Sequence, residues 1–428
     1  MRTLDKFKGC LIGGAAGDAL GYAVEFLSED EIFGKYGPAG ILSYDAGRGR
    51  ISDDTQLTMF TSAGLLLGTP EYSSGVFEGY PHFLAMAYED WYGTQTESYP
   101  LKSTSVKLAA LPEMFSRRAP GNTCLSSLEH YHRFHEYGSI RDRINHSKGC
   151  GGVMRCAPVG LYFCDSPFTI EQSDRLGAES AAITHGHSLG FMPAALLAHI
   201  VRRLAEDDTS ILNAVEDAVD TLKRIYPSIF HLPHLVSRMQ KAVSLAGDAG
   251  VEDLAGIRQL GKGFTGDEAI AIAVFCAIRH ADDFDAAIRA AVNHGGDSDS
   301  TGAICGNIVG AKIGYDAIPA KYKTDLELHD TICSLAENLR DDKNTVLWTY
   351  AHDVDPSCDL FERYRTDFVE GQTFAEYQRD VRQFLTTAVE PLTPDAALDL
   401  MEKQANLIRE AFDEKIPAHT LAVEITRE

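Results

Sequence analysis

Residues 295–310 read "GGDSDSTGAICGNIVG". Two aspartates, Asp297 and Asp299, stand two apart on a glycine turn, at the point where a small-residue helix expected over 299–312 begins. Like charges that close raise each other's pKa unless a cation or a cluster of donors compensates. A surface N-cap accounts for one of them. It does not account as easily for both, beside Ser300 and Thr301.

Outward from this stretch the pattern is helical. "CLIGGAAGDALGYAVEF" (10–26) reads as a glycine-interrupted helix and "DDTQLTMFTSAGLLLG" (53–68) as another. Further helices are expected over 76–91, 171–205, 209–224, 234–246, 265–280 and 282–292. Pro, Gly, Asn and Ser interrupt 93–124 and 139–152, which read as loops. Strict alternation is scarce, so the expected fold is all-α with long polar loops. Beyond residue 340 the texture changes: 341–428 hold 19 acidic against 9 basic side chains. There "TFAEYQRDVRQFLTTAVE" and "TPDAALDLMEKQANLIREAF" read as amphipathic helices. The expected organisation is a domain over 1–340 and an acidic helical extension over 341–428, packed on the core or forming a small appendix.

A formal net charge of -23 on 428 residues argues against binding along a nucleic-acid backbone, while leaving room for a local positive cleft. The opening "MRTLDKFKGCLIGGAAGDALG" has an apolar patch that Asp18 cuts short of secretory or membrane-spanning length. The expected setting is the cytoplasm, with no membrane partner. Nine cysteines without a CxxC pair are expected as buried free thiols rather than disulfides or a structural zinc site.

A second acidic cluster, "RISDDTQLTMF", puts Ser52, Asp53 and Asp54 at an expected helix N-terminus, where a cap is the plain explanation. Two such clusters, each at a helix start with a serine, can bring four carboxylates and two hydroxyls onto one site. Hard oxygen donors suit Mg²⁺ or Mn²⁺, and the spacing is not that of an EF-hand. Two divalent ions about 3.5–4 Å apart would resolve the repulsion. Glu25, after the first helix, either faces solvent or faces the same cleft; Asp18 is read as bonding a backbone donor. In "GCGGVMRCAPVGL" (149–161), Gly149, Gly151 and Gly152 let backbone N–H groups approach a phosphate, although a tight structural loop reads as well. Met154 reads as core, and Arg155 as pairing with a carboxylate or a phosphate. In "ITHGHSLGFMPAAL", His185 and His187 lack a third partner for metal and suit hydrogen bonding to a loop or phosphate.

The ordered set "GDALGYAVEF", "ISDDT", "GCGGVMRCAPVGL", "THGHSLG" and "HGGDSDSTGAICG" strongly resembles the ADP-ribosylglycohydrolase family across roughly residues 5–340. The resemblance implies a compact all-α hydrolase that removes ADP-ribose from modified protein side chains at a binuclear Mg²⁺ or Mn²⁺ centre. It implies Ser52, Asp53, Asp54, Asp297, Asp299 and Ser300 as metal ligands, with Ser298 turned away. Asp53 or Asp54 would serve as the decisive carboxylate, Glu25 would attend the ribose, and Gly149, Gly151, Gly152, Met154 and Arg155 would cradle the diphosphate near His185. Ser in "SDDT" and "GGDSDST", where serine-linked hydrolases carry Thr, looks closer to the arginine-specific, dinitrogenase reductase-activating branch. O-linked (serine) ADP-ribose, small ADP-ribosyl adducts, nucleotide-diphosphate phosphohydrolysis and non-catalytic ADP-ribose binding remain alternatives. The implied partner is an ADP-ribosylated protein, in toxin antagonism or regulatory reversal of an ADP-ribosyltransferase, with a monomer favoured.

Overall fold

Glycines at 9, 13, 17 and 21 recur one turn apart on the first helix, and glycines at 302, 306 and 310 do the same on a late one. In each helix this spacing clears one face. The computed structural model describes residues 4–69, 79–340, 377, 381, 400, 401 and 403–413, and in it the two faces meet. A Cβ placed on Gly9, Gly13 or Gly17 would lie 2.4, 2.4 or 2.0 Å from the carbonyl oxygens of Gly310, Gly306 and Gly302. No side chain fits there, so the backbones are in contact and the helices run antiparallel. Asn307 locks the pair by donating from Nδ2 to the Cys10 carbonyl at 2.9 Å. The last step sets Gly21 against the Ser298 carbonyl, which brings the end of one helix to the start of the other.

In chain order the described helices are α1 (Leu4–Gly21), α2 (Glu29–Tyr36), α3 (Asp53–Leu67), α4 (Tyr80–Thr96), α5 (Asn122–Phe134), α6 (Ala157–Tyr162), α7 (Ile170–Ala182) and α8 (Ser188–Glu206). They continue as α9 (Ile211–Ile225), α10 (Leu232–Gly247), α11 (Asp253–Leu260), α12 (Gly266–Arg279), α13 (Phe284–Val292), α14 (Ser298–Ile313), α15 (His329–Arg340) and α16 (Ala405–Asp413). Among the described residues, extended pairing is confined to isolated bridges at Gly49–Leu326 and Gly149–Thr265. The fold is all-α, as the periodicity indicates. α1, α14, α8 and α12 form the interior; Ile270, Ile272, Val274 and Phe275 of α12 are fully buried. Each such side chain contributes about 1.5–3 kcal/mol on leaving water.

The departures from expectation have local causes. The run expected over 171–205 is two helices, α7 and α8, because Asn145 captures the chain between them. Its Oδ1 accepts from Gly186 N and its Nδ2 donates to the Thr184 carbonyl. α1 stops at Gly21 rather than Phe26, since tight turns (Val24 N to Gly21 O, Leu27 N to Val24 O) follow immediately. α5 arises in a region dense in loop residues, held by Cys124, Leu128 and Tyr131 on one buried face. The eight cysteines among the described residues are free, as expected, and Cys358 lies outside them. α16 falls within the second C-terminal segment, with Ile408 and Ala411 buried. Most of the 341–428 extension, including nearly all of the segment 373–390, lies outside the described residues. No described helix is long and apolar enough to cross a membrane.

Candidate active site

Asp18 is fully buried near the end of α1, and it faces the first turn of α3. Its two oxygens accept the Ser52 N–H at 3.1 and 3.0 Å, and Oδ2 also accepts from Thr55 N at 3.1 Å and from the Thr55 hydroxyl. These are the orphan donors of a helix start, so α1 caps α3 in trans. The local Ser52 cap adds its own bond, Oγ accepting from Asp54 N at 3.2 Å. Asp18 thereby fixes the segment that carries Ser52, Asp53 and Asp54. The signal in the sequence was a lone carboxylate among small apolar residues, a buried charge that needs donors.

At the start of α14, Asp297 is the N-cap. Its Oδ1 accepts from Ser300 N at 3.3 Å and its Oδ2 accepts from the Cys150 thiol at 2.9 Å. Asp299 Oδ1 also accepts from Ser300 N, at 2.9 Å, and Ser300 Oγ faces the Met154 sulfur at 3.8 Å. Asp53 Oδ2 accepts from Gly121 N at 3.3 Å. Ser52, Asp53, Asp54, Asp297, Asp299 and Ser300 are all buried.

Met154 joins the two clusters: Ser300 Oγ faces its sulfur, while the Thr58 hydroxyl, 2.8 Å from the Asp54 carbonyl, lies 3.5 Å from the Met154 carbonyl. The carboxylates feel one another's charge. Burial pushes the Asp54 carboxyl well above the usual range, and the charges of Asp53, Asp18 and Asp297 push it further. Asp299 is raised by burial and then by Asp54, Asp297 and Glu25, and Asp53 by burial and then by Asp18 and Asp297, against the Gly121 N–H. Asp297 is raised by burial, which outweighs its hydrogen bonds. Glu25, on the turn after α1, is pushed up to about 8 by burial and then by Asp297 and Asp53. Two helix N-termini therefore converge on one crowded set of carboxylates, and their partial positive charge offsets only part of the repulsion.

This set fits divalent cations in its chemistry. Asp54 Oδ2 and Glu25 Oε2 are buried without a hydrogen-bond partner, which is unusual for carboxylate oxygens unless something else satisfies them. The donors are hard oxygens. Among the described residues, however, no three His, Cys, Asp or Glu side chains already close into a coordination shell. The donors are gathered, not clenched.

The glycine loop lies against the Asp297 side of this set. Lys148 O accepts from Gly266 N, while Gly149 and Gly151 pass the His185 ring so closely that a Cβ on Gly151 would sit 2.9 Å from Cε1. His185 is buried, with Nδ1 at 2.8 Å from the Thr184 hydroxyl, and burial lowers its pKa to about 3, which keeps it neutral. A Cβ on Gly152 would meet that of Ala181 at 2.8 Å. Met154 is buried beside Ser300. Arg155 turns inward: it donates to the Ser180 carbonyl, the Thr184 hydroxyl and the Cys124 sulfur, and packs over the Tyr88 ring at 4.2 Å. Fully buried, it braces the loop through Thr184, the hydrogen-bond partner of His185, and among the described residues no carboxylate pairs with it. His187 caps α8 by accepting from Leu189 N, and Ser298 donates to the His294 and Gly296 carbonyls, away from the cluster. Asp18 bonds backbone donors as the sequence suggests, although the sequence does not say of which helix, and Cys150 is a residue at this locus to which the sequence assigns no part in the site.

Comparison with known proteins identifies the family. A family model described as ADP-ribosylglycohydrolase matches residues 1–355. The ADP-ribosyl-[dinitrogen reductase] glycohydrolase of Rhodospirillum rubrum is 26% identical, over 76% of this chain and 91% of its own length. ADP-ribosylarginine hydrolase Tri1 of Serratia proteamaculans is also 26% identical, over 79% of each chain. Human ADP-ribosylhydrolase ARH3 is 26% identical over 45% of this chain and 58% of its own. A solved structure, an ADP-ribosylglycohydrolase-related protein complex, shares the fold at a TM-score of 0.50 and 23% identity, covering 78% of this chain and 97% of that one. With its helices α1 and α14 joining two acidic helix starts, the chain belongs to the ADP-ribosylglycohydrolase family of enzymes.

Proposed function

We propose that this enzyme hydrolyses the N-glycosidic bond of ADP-ribosyl-arginine on proteins, releasing ADP-ribose and restoring arginine. The observation that carries the reading is the convergence of Ser52–Asp54 with Asp297–Ser300, together with the unpartnered Asp54 Oδ2. The arginine preference rests on the longer match to a relative named as an ADP-ribosylarginine hydrolase, 79% of this chain against 45% for ARH3.

Ser52, Asp53, Asp54, Asp297, Asp299 and Ser300 would hold two Mg²⁺ or Mn²⁺ ions. When bound, such ions supply Lewis acidity and anchor points for the ribose hydroxyls. The residues of the chain do the rest. Asp53 or Asp54 accepts a proton from the attacking water, whose oxygen bonds to the anomeric carbon. The carbon–nitrogen bond breaks, its electron pair leaves with the guanidine, and a proton returns to that nitrogen. Positive character developing at the anomeric carbon is stabilised by the carboxylate cluster. Glu25 orients the ribose from the turn after α1. Gly149, Gly151 and Gly152 present backbone to the diphosphate, with His185 as a neutral ring behind them.

The test is product analysis on arginine-linked and serine-linked ADP-ribosylated proteins side by side. The reading expects intact ADP-ribose and preference for the arginine linkage. Preference for serine linkage would overturn the specificity, and a nucleoside monophosphate product would overturn the reaction class.

A further inference from the structure

Arg48 and Arg50 stand out in a chain whose formal net charge is -23. Both are exposed, and among the described residues no hydrogen bond or ion pair engages either guanidinium. Both line a cleft of about 420 Å³ shared with Gly49, Arg118, Asp325 and Glu327. The backbone that presents them is fixed. Gly49 N donates to the Asp325 carbonyl and Gly49 O accepts from Glu327 N, each at 2.9 Å. A Cβ on Gly49 would lie 2.6 Å from the Tyr44 ring, so the chain is pressed against that ring. Arg48 is extended, Arg50 N donates back to the Arg48 carbonyl at 3.1 Å across Gly49, and both arginines line the same cleft.

The remaining charges do not cancel this pair. Glu327 is engaged by the Arg118 guanidinium and by Ile51 N at 3.2 Å, which leaves two arginines against the single carboxylate of Asp325. The cleft also adjoins the candidate site. Ile51 separates Arg50 from Ser52, Arg118 donates to the Ile51 carbonyl at 2.8 Å, and the Arg118 carbonyl accepts from Asp53 N. The glycine loop meets the same site at other residues, Cys150 on Asp297 and Met154 on Ser300.

We infer that this cleft receives the polypeptide around the modified residue, and that Arg48 and Arg50 select targets carrying Asp or Glu beside it. The inference rests on the proposed function in that the cleft takes the protein part of the substrate. An acidic target is repelled by most of this surface and attracted here, so the cleft sets the orientation of docking. Two exposed guanidinia lining one cleft suit a carboxylate through charge-assisted hydrogen bonds.

The test uses the full chain and fluorescence anisotropy with labelled nonapeptides centred on arginine, one flanked by glutamates and one by lysines. Wild type is expected to bind the glutamate peptide about tenfold more tightly, and R48E/R50E to lose that preference; added salt weakens it. The R48Q/R50Q variant should fall between. No preference in wild type, or full preference in R48E/R50E with an unchanged melting temperature, overturns the inference. So does tight binding of a decanucleotide that R48E/R50E loses while peptide binding is unaffected. Hydrolysis of free ADP-ribosyl-arginine by wild type and R48E/R50E is expected to be equal. Its absence in both would sink the proposed reaction, while the peptide titrations would still decide the cleft.

Discussion

Asp18 holds the Ser52 backbone N–H with both carboxylate oxygens, at 3.1 and 3.0 Å, across the junction of α1 and α3. The consequence is testable with Asp18→Asn. The amide keeps the volume but replaces one acceptor oxygen with a donor facing N–H groups, which costs about 1–3 kcal/mol of stability. Mn²⁺ binding should weaken as well, because Ser52 and Asp53 lose their anchor. Thermal melting and calorimetric titration of Mn²⁺ check this; a variant with wild-type values in both would remove Asp18 from the site's support.

The glycine faces give a sharper stability test. Gly17→Ala drives a Cβ to 2.0 Å from the Gly302 carbonyl oxygen, and both atoms belong to the buried centre. Backbone must move, at a cost of about 3 kcal/mol or more. Gly34 in α2 has nothing within 4 Å of the same position, so Gly34→Ala should be neutral or gain about 0.4–1 kcal/mol. Denaturant unfolding of the two variants is the measurement, and similar stabilities would refute the close packing of α1 on α14.

Much of this was open to reading in the sequence, and the limits have physical causes. The two acidic clusters were legible because aspartates beside serine at helix starts are locally recognisable, and helices such as α9 and α12 because their apolar positions repeat. That both clusters meet at one site depends on α1 against α14, a contact between segments nearly 300 residues apart, as the Asn307–Cys10 bond shows. The glycine spacing on both helices carried that information, but each helix alone reads only as glycine-interrupted. Arg155 illustrates the converse: its place beside the glycines suggested a phosphate, whereas the groups that claim it lie elsewhere in the chain, Ser180 on α7, Thr184 in the turn after it and Tyr88 on α4.

Proton linkage gives a prediction for the cation-free protein. Glu25 and Asp18 are raised to about 8 and about 6, by burial first, and Asp53, Asp54 and Asp299 are raised too. A folded-state pKa above the unfolded value means the native chain holds extra protons, so stability falls as pH rises through that window. Buried His185 and His294 have lowered pKa values and act with the opposite sign, but only below about pH 6.5, where the unfolded histidines titrate. Chelated protein should therefore melt lower at about pH 8 than at about pH 7, and excess Mn²⁺ should diminish or reverse the trend. Melting curves with EDTA and with Mn²⁺ decide it; a chelated protein that gains stability over this range would contradict the crowding.

Asp299→Asn and Glu25→Gln should separate two roles. Asp299 feels the charges of Asp54, Asp297 and Glu25, and losing its own charge should lower turnover on the order of a hundredfold with loss of bound cation. The fold should survive with a modest drop in melting temperature. Glu25→Gln should slow turnover while cation content stays near that of the wild type. Metal analysis and single-turnover kinetics on the same preparations test both, and an Asp299→Asn enzyme with full metal and full chemistry would overturn its assignment.

The most direct measurement is release of ADP-ribose from arginine-modified protein by enzyme stripped of divalent ions and then given Mg²⁺ or Mn²⁺. The convergence of Ser52–Asp54 with Asp297–Ser300 predicts no release after stripping and recovery on adding either ion. Full release from the stripped enzyme would contradict it.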